Sequence, residues 1–295
     1  MSDIKTPSEI SKISIETAIA KADAPFLKLA ILGFLAGAFV AFAAEGSNMA
    51  AFGLLADPGT YGLGRLVAGA VFPTGLMLIV IAGGELFTGN TLMLAAAFER
   101  RITVGKMLRN WAIVYAMNLV GSLFIAYVIY KTGLLSAGNG ELGGVTIKIA
   151  AAKANLSFSN AFLLGIFCNW LVCLAVWMAF ATKSMTGKLF AIFFPIMLFV
   201  ASGFEHCIAN MYYIPAGIFA AGNQAYLDSA FALGLSADAL SGLDYHGFFA
   251  GNLLPVTLGN IVGGGIFVAM AYLFAYREQA GSGGSGTGKQ GGTGR

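Results

Sequence analysis

Six long apolar segments dominate this sequence, and each can cross the roughly 30 Å hydrocarbon core of a bilayer. They run approximately over residues 25–44, 62–98, 107–130, 158–181, 188–221 and 248–276. Charged residues make up only 11% of the chain, against about 25% in a typical soluble domain. The segments therefore predict an all-α membrane protein with six transmembrane helices.

The basic residues are distributed unevenly between the predicted loops. If both termini lie inside, the inner segments hold eleven of them: Lys5, Lys12, Lys21, Lys28, Arg100, Arg101, Lys106, Arg109, Lys183, Lys188 and Arg277. The outer segments hold four: Arg65, Lys131, Lys148 and Lys153. Because Lys and Arg are enriched in cytoplasmic loops, we expect both termini in the cytoplasm of a bacterial inner-membrane protein.

The chain divides into three parts. Residues 1–24 are polar, and isoleucines at helical spacing predict a short amphipathic helix on the cytoplasmic face. Residues 25–280 form the transmembrane domain. Residues 281–295 (GSGGSGTGKQGGTGR) have the composition of a flexible linker left from cloning.

Two apolar segments are too long for one straight crossing. As a continuous helix, residues 62–98 or 188–221 would extend about 50 Å. Each is interrupted near its middle by polar residues and glycine, GGELFTGN at 83–90 and SGFEHCIAN at 202–210. Non-helical backbone at membrane depth is tolerated only where protein or a water-filled cavity satisfies it. We therefore predict that the second and fifth helices are broken beside a transport path.

The two halves of the chain share a pattern. Glu85 and Glu205 are each followed five residues later by asparagine, Asn90 and Asn210. The next helix of each half carries a related motif, NLVG at 118–121 and NIVG at 260–263. Three crossings per half invert the second half relative to the first, so the pattern predicts an inverted repeat whose breaks meet near the bilayer midplane.

Glu85 and Glu205 are expensive within a membrane unless they are paired or hydrogen-bonded. They could bind ions, but a carboxylate in the path would repel an anion. We instead expect them, with Asn90 and Asn210, to stabilise the breaks by accepting backbone N–H bonds.

His206 lies in the second break, opposite the hydroxyl of Thr88 in the first, and we expect it to line the pore. Apolar side chains around the breaks could form hydrophobic constrictions or simply pack in the core: Phe72, Leu76, Leu86, Phe87 and Phe199. Lys148 and Lys153 could draw anions into an outer vestibule or be merely solvated.

Other classes of function lack their residues. Cys168, Cys173 and Cys207 all fall in apolar segments, which argues against disulfides or a spaced metal site. No nucleotide-binding loop, zinc pattern or nucleophile motif appears. We expect no enzyme, no cofactor and no nucleic-acid partner.

A set of ordered motifs resembles the formate–nitrite transporter family, most closely its formate-channel branch. These are ELFTGN at 85–90, NW at 110–111, NLVG at 118–121, LVCLAVWM at 171–178, FVASGFEHCIANM at 199–211 and NLLPVTLGNIVGGG at 252–265. The resemblance implies an aquaporin-like protomer in a homopentamer, with one pore per protomer. One departure is Glu85, where the formate branch often has aspartate.

The resemblance also implies roles for individual residues. Leu86, Phe87 and Thr88 would belong to the first broken helix, with Leu76 and Phe199 in constrictions. His206 would be the central pore histidine bonded to Thr88. Lys153 and Asn169 would match the family's outer lysine and its nearby asparagine.

We therefore expect a channel or transporter for small monovalent anions, most simply formate, with proton-coupled transfer through His206 as a second mode. Nitrite and hydrosulfide present the same charge and similar size. A neutral-solute pore of the aquaporin type is the other alternative, but its asparagine-proline-alanine signatures are missing. Expected partners are the anion, the lipid bilayer and further copies of the chain.

Overall fold

Helices make up most of the structure, a computed structural model that describes residues 4–276; within that range there is no β-strand. The helices are α1 (Pro7–Ala22), α2 (Phe26–Ala56), α3 (Tyr61–Gly83), α4 (Phe87–Phe98), α5 (Val104–Thr132), α6 (Glu141–Ala154), α7 (Phe158–Phe180), α8 (Met185–Ser202), α9 (Cys207–Ala221), α10 (Gln224–Ala232), α11 (Ala237–Ser241) and α12 (Gly247–Tyr276). The predicted flexible tail, residues 281–295, lies outside the described residues.

Six of the described helices are long and apolar enough to span a bilayer: α2, α3, α5, α7, α8 and α12. This confirms the predicted number of crossings. The first crossing continues to Ala56, twelve residues beyond the predicted end at residue 44. Polar residues Glu45, Ser47 and Asn48 ended the apolar pattern, but all three are buried within the bundle. Ser47 Oγ, for example, donates to the carbonyls of Ala43 (2.7 Å) and Ala68 (3.0 Å).

Both predicted breaks are present. The first lies between α3 and α4, where Gly83 has φ +103° and residues 84–86 are extended or irregular. The second lies between α8 and α9, where Gly203 has φ +80°. Such positive φ angles cost little only for glycine. In each half, a long apolar segment therefore becomes a spanning helix followed by a shorter one.

The NLVG and NIVG motifs occupy equivalent places in the two halves. A Cβ at Gly121 on α5 would lie 2.1 Å from the carbonyl oxygen of Phe34 on α2. A Cβ at Gly263 on α12 would lie 2.2 Å from that of Ile166 on α7. Only glycine permits this closeness of two helix backbones. The matched contacts confirm the inverted repeat. In this repeat α2 is the equivalent of α7, and α5 is the equivalent of α12.

The repeat also includes two short helices: α1, which the sequence analysis treated as a separate segment, and α6, which it did not predict. Each precedes the first spanning helix of its half, and each carries a lysine in its last turn, Lys21 in α1 and Lys153 in α6. Each half is thus a unit of a short helix, a spanning helix, a broken pair and a final spanning helix. The N-terminal helix is part of the architecture and not an appendage.

The N-terminus of α1 is closed by a reciprocal capping box. Thr6 N donates to Glu9 Oε2 (2.7 Å), and Glu9 N donates to Thr6 Oγ1 (3.4 Å). The backbone hydrogen bond from Thr6 lowers the pKa of Glu9 below its usual value, and the Thr6 hydroxyl lowers it further.

We expect the first turn of α1 to loosen in acid. A carboxyl whose pKa is lowered by folding stabilises the fold above its unfolded pKa, and this is lost as the pH falls through the lowered, folded value. Amide hydrogen exchange of residues 6–10 should therefore accelerate at acid pH, after correction for intrinsic exchange. Glu9→Gln should abolish that dependence; an unchanged dependence in this variant would contradict the assignment.

Candidate functional site

Two cavities open toward the breaks from opposite ends of the bundle. The cavity beside Lys21 and Glu85, here called the first vestibule, has a volume of about 380 Å³. The cavity beside Lys153 and Glu205, the second vestibule, has a volume of about 370 Å³. Each has a cation and a carboxylate of its own repeat in its wall.

His206 and Thr88 meet between the two vestibules. The Nε2 atom of His206 lies 3.0 Å from Thr88 Oγ1. The histidine is 4% exposed and lines the second vestibule, and the threonine is fully buried. The contact joins one residue from each break, as the sequence pattern predicted.

The hydrogen bonds of His206 identify its tautomer. Its Nδ1 accepts from the backbone N–H of Ala209 (3.0 Å) and so caps α9. A ring nitrogen that accepts a hydrogen bond carries no proton, so a neutral imidazole holds its proton on Nε2. That N–H donates to Thr88 Oγ1, which leaves the Thr88 hydroxyl hydrogen available to a third group. The pair therefore presents a hydroxyl donor between the breaks.

Aromatic rings narrow the second-vestibule side of this pair. Phe72 and Phe199 pack edge to face with their centroids 5.6 Å apart, and the Phe199 ring stacks on the His206 ring at 6.0 Å. On the other side, Leu76 and Leu86 line the first vestibule. Each of the four thus lines a vestibule, and their role as constrictions stays a prediction.

Phe87 and Asn169, also predicted on the substrate path, line neither vestibule. The Phe87 ring packs against Tyr115 on α5, with centroids 4.8 Å apart. Asn169 Nδ2 donates to Thr88 O (3.2 Å) and Asn260 O (2.6 Å). Asn169 thus helps hold the backbone of Thr88 and does not neighbour Lys153 in the vestibule wall.

A buried polar network holds the first break. Glu85 Oε2 accepts from Lys21 Nζ (2.9 Å) and from Asn90 Nδ2 (2.8 Å). Asn90 Nδ2 also donates to Asn110 Oδ1 (2.8 Å). Asn118 Oδ1 accepts from Phe87 N (3.0 Å). Its Nδ2 donates to the carbonyls of Glu85 (2.9 Å) and Gly33 (2.7 Å).

The second break repeats this network with its own residues. Glu205 accepts from Lys153 Nζ (2.7 Å) and from Asn210 Nδ2 (2.6 Å), and Asn210 in turn donates to Asn252 (2.7 Å). Asn260 Oδ1 accepts from Cys207 N (2.9 Å). Its Nδ2 donates to Glu205 O (3.0 Å) and Gly165 O (2.8 Å). The lysine, glutamate and asparagines of each network therefore all belong to the half in which their break lies.

The networks differ from the prediction for Glu85 and Glu205 in one respect. Their carboxylates accept from lysine and asparagine side chains, whereas Asn118 and Asn260 satisfy the backbone at the breaks. The sequence analysis missed Lys21, Asn110 and Asn252. A signal for Lys21 was present, because Lys21 and Lys153 occupy the same place in the two repeats. Lys148 instead donates to Leu233 O (2.7 Å), outside the second vestibule.

We expect replacement of either lysine by methionine to destabilise the protein, and unequally. Lys153 and Glu205 are the more buried pair, with side chains 17% and 5% exposed against 26% and 11% for Lys21 and Glu85. Removing one partner of a buried pair costs about 3–5 kcal/mol, because it leaves an uncompensated charge. Lys153→Met should approach that value and Lys21→Met should cost less, about 1–3 kcal/mol.

Thermal unfolding of the purified protein would measure both effects. Adding Glu85→Gln to Lys21→Met removes the orphaned charge and should recover most of the loss. A double variant no more stable than Lys21→Met alone would show that the carboxylate is not the source of the cost.

The fold and site define a class: a multi-pass membrane protein whose inverted repeat brings two broken helices together between opposed vestibules. This is the architecture of a channel or transporter. The chain belongs to the formate/nitrite transporter family, whose model, described as formate/nitrite transporter, matches residues 8–274.

Relatives agree with this assignment. The chain is 41% identical to a probable formate transporter of Methanothermobacter thermautotrophicus, covering 94% of this chain and 99% of the relative. It is 43% identical to the formate channel FocA of Haemophilus influenzae, covering 90% and 92%. A solved structure described as a pentameric formate channel with formate bound superposes with a TM-score of 0.76 at 39% identity, covering 86% and 98%. These relatives are transporters and not enzymes.

Proposed function

We propose that this chain is a channel for small monovalent anions, with formate as its main substrate. The observation that carries the proposal is the Thr88–His206 pair, a buried hydroxyl donor between two vestibules. The named formate channels among its relatives support the choice of formate. The path runs from the second vestibule past Phe72 and Phe199, past the pair, and past Leu76 and Leu86 into the first vestibule.

The charges of the vestibules favour anions. The first vestibule is lined by three lysines, Lys21, Lys28 and Lys188, against the single carboxylate of Glu85. The second holds Arg65 and Lys153 against Glu205. Clefts lined by one sign of charge raise the local concentration of the opposite ion. The N-termini of α4 and α9 add partial positive charge beside the pair.

The apolar rings and leucines between the vestibules select against large or strongly hydrated ions. An anion that passes them must shed most of its water, which is costly unless a donor replaces it. The Thr88 hydroxyl is that donor. Its oxygen accepts from His206 Nε2–H, so its hydrogen is available to the anion. A carboxylate oxygen of formate would accept this hydrogen bond, and formate would cross as an anion.

Proton-coupled transfer needs a further step at His206. The neutral imidazole donates a hydrogen bond but is far too weak an acid to give up its remaining proton. An imidazolium would need a proton on Nδ1, which would break the bond from Ala209 N that caps α9. Protonation of the substrate through His206 therefore requires the N-terminus of α9 to rearrange, and it is the slower of the two modes.

The proposed function includes an orientation in the membrane and an assembly of several copies of the chain. We propose that the first vestibule and both termini lie in the cytoplasm and the second vestibule outside, in a bacterial inner membrane, and the eleven-to-four distribution of basic residues supports this. A pentamer with one pore per protomer is proposed from the solved relative.

Uptake of radiolabelled formate into proteoliposomes tests the function. We expect uptake that empty liposomes lack and that excess unlabelled formate abolishes. Nitrite and hydrosulfide remain substrates of the same chemistry, and their competition with labelled formate ranks them. If nitrite or hydrosulfide moves and formate does not, the choice of substrate is wrong; if no anion moves, the proposed function is wrong.

A further inference from the structure

A second buried acid lies outside the two break networks. Glu45, on α2, is 5% exposed, and the hydroxyl of Tyr212 on α9 donates to its Oε2. Its other oxygen, Oε1, has no hydrogen-bond partner among the described residues. No cation among them forms a salt bridge with it. A lone carboxylate with one donor is unfavourable in a buried, apolar position, so Glu45 is best satisfied with a proton bound.

Asn48 is a second buried residue with a polar atom that lacks a hydrogen-bond partner. It lies one helical turn after Glu45 on the same face of α2, it is 3% exposed, and its Nδ2 also has no partner among the described residues. Glu45 Oε1 and Asn48 Nδ2 do not bond to each other in the structure. A water oxygen accepts from two donors at once and can bridge them.

The Asn48 side chain lies in the wall of the second vestibule, beside Tyr213. A water bridged between Glu45 and Asn48 therefore adjoins the vestibule water. The apolar position of Glu45 is thus not sealed from the substrate path.

The helices packed against α2 near Glu45 are α3, α5, α6 and α9. The ionisable side chains that these helices contribute to the wall of the second vestibule are Tyr61, Arg65, Lys153 and Tyr213. Arg65 donates to the carbonyls of Val200 and Ala201. Lys131 lies over the rings of Tyr127 and Tyr130, and Lys153 is paired with Glu205. These cations have their own partners, and among the described residues Glu45 has the hydrogen bond from Tyr212 and no salt bridge.

We propose that Glu45, Tyr212 and Asn48 form a proton-binding site that exchanges its proton with water of the second vestibule. On release, the O–H bond of Glu45 breaks and the proton passes to the bridging water and on to the vestibule. The carboxylate that remains keeps the hydrogen bond from Tyr212. Loss of this proton adds a negative charge beside the vestibule, which opposes the entry of anions. The site is separate from His206 and does not require that formate be the substrate.

Infrared difference spectroscopy of the purified full-length protein at neutral pH tests the site. A protonated carboxyl has a C=O band that ionised carboxylates lack. We expect such a band in the wild type, its loss in Glu45→Gln, and a shift within the mixing time when H₂O is replaced by D₂O. If no protonated-carboxyl band depends on Glu45, the residue is ionised and the proposal is wrong. If the band is present but does not shift in D₂O, the site is sealed from water and the proposal is equally wrong.

Two further variants separate the site from a general effect on folding. Asn48→Leu keeps the volume but removes the amide, so the band should remain and its shift in D₂O should slow. Exchange as fast as in the wild type would contradict the route past Asn48. Glu45→Asp retains a carboxyl and should move the band rather than remove it, which assigns the band even if Glu45→Gln does not fold.

Discussion

His206→Asn should lose the pH response of formate flux while keeping much of the flux seen at low pH. Asparagine is a good N-cap, so the N-terminus of α9 should survive the change. What disappears is the imidazole, which can take up a second proton only when the bond from Ala209 N to its Nδ1 is broken. At low pH a growing share of the substrate is neutral formic acid, which needs no donor from the protein.

The measurement is uptake by proteoliposomes at a series of pH values, with wild type and variant reconstituted at equal density. Thr88→Val is the matched control, because it removes the hydroxyl and leaves the histidine. Loss of a hydrogen bond to a charged group costs about 1.5–3 kcal/mol, so this control should lower anion flux by about tenfold or more while the shape of its pH profile persists. A His206→Asn profile that parallels the wild type would remove the histidine from the mechanism.

Replacement of Asn118 or Asn260 by leucine should produce large losses of stability, comparable to that of Lys153→Met. Each asparagine makes three hydrogen bonds to buried backbone, across a break and to a neighbouring spanning helix. Leucine has a similar volume and makes none of them. An unsatisfied buried group costs about 1–3 kcal/mol, so each variant should lose about 3 kcal/mol or more and melt about 10 °C lower.

Ser122→Ala provides the matched control, since it lies one turn from Asn118 on α5 and removes a single bond, from Ser122 Oγ to Gly37 O (3.2 Å). Its cost should be about 1 kcal/mol or less. The inverted repeat further predicts that Asn118→Leu and Asn260→Leu have similar effects. If Asn118→Leu costs no more than Ser122→Ala, the asparagine does not hold the break.

The sequence predicted the crossings and breaks because both depend on patterns along the chain. A segment that is too long and has polar residues at its centre must break near them, and Gly83 and Gly203 lie where it does. The first spanning helix, α2, was predicted too short because its length does not follow from the local pattern. Glu45, Ser47 and Asn48 have the composition of a loop, and only their burial against other helices keeps them helical.

The site was predicted in part. The Thr88–His206 contact was expected because the inverted repeat brings the breaks together. The ion pair between Glu85 and Lys21 was not expected. Lys21 is 64 residues away and belongs to a helix that the local sequence pattern predicts at the surface. The direction of Phe87 could not be predicted either. A residue at the start of a half-helix can face the path or the neighbouring helix, and packing against Tyr115 decides between them.

Each half of this molecule completes its own buried charges, and this has a consequence for how such a protein can evolve. The networks around Glu85 and Glu205 draw no side chain from the opposite half. Contacts that join the two halves include those of Thr88 with His206, Asn169 with Thr88, and Tyr212 with Glu45. After duplication of an ancestral half, the scaffold could be inherited twice unchanged while the contacts between the halves diverged. The buried charges of each half can thus be inherited with that half, whereas the contacts between the halves depend on both.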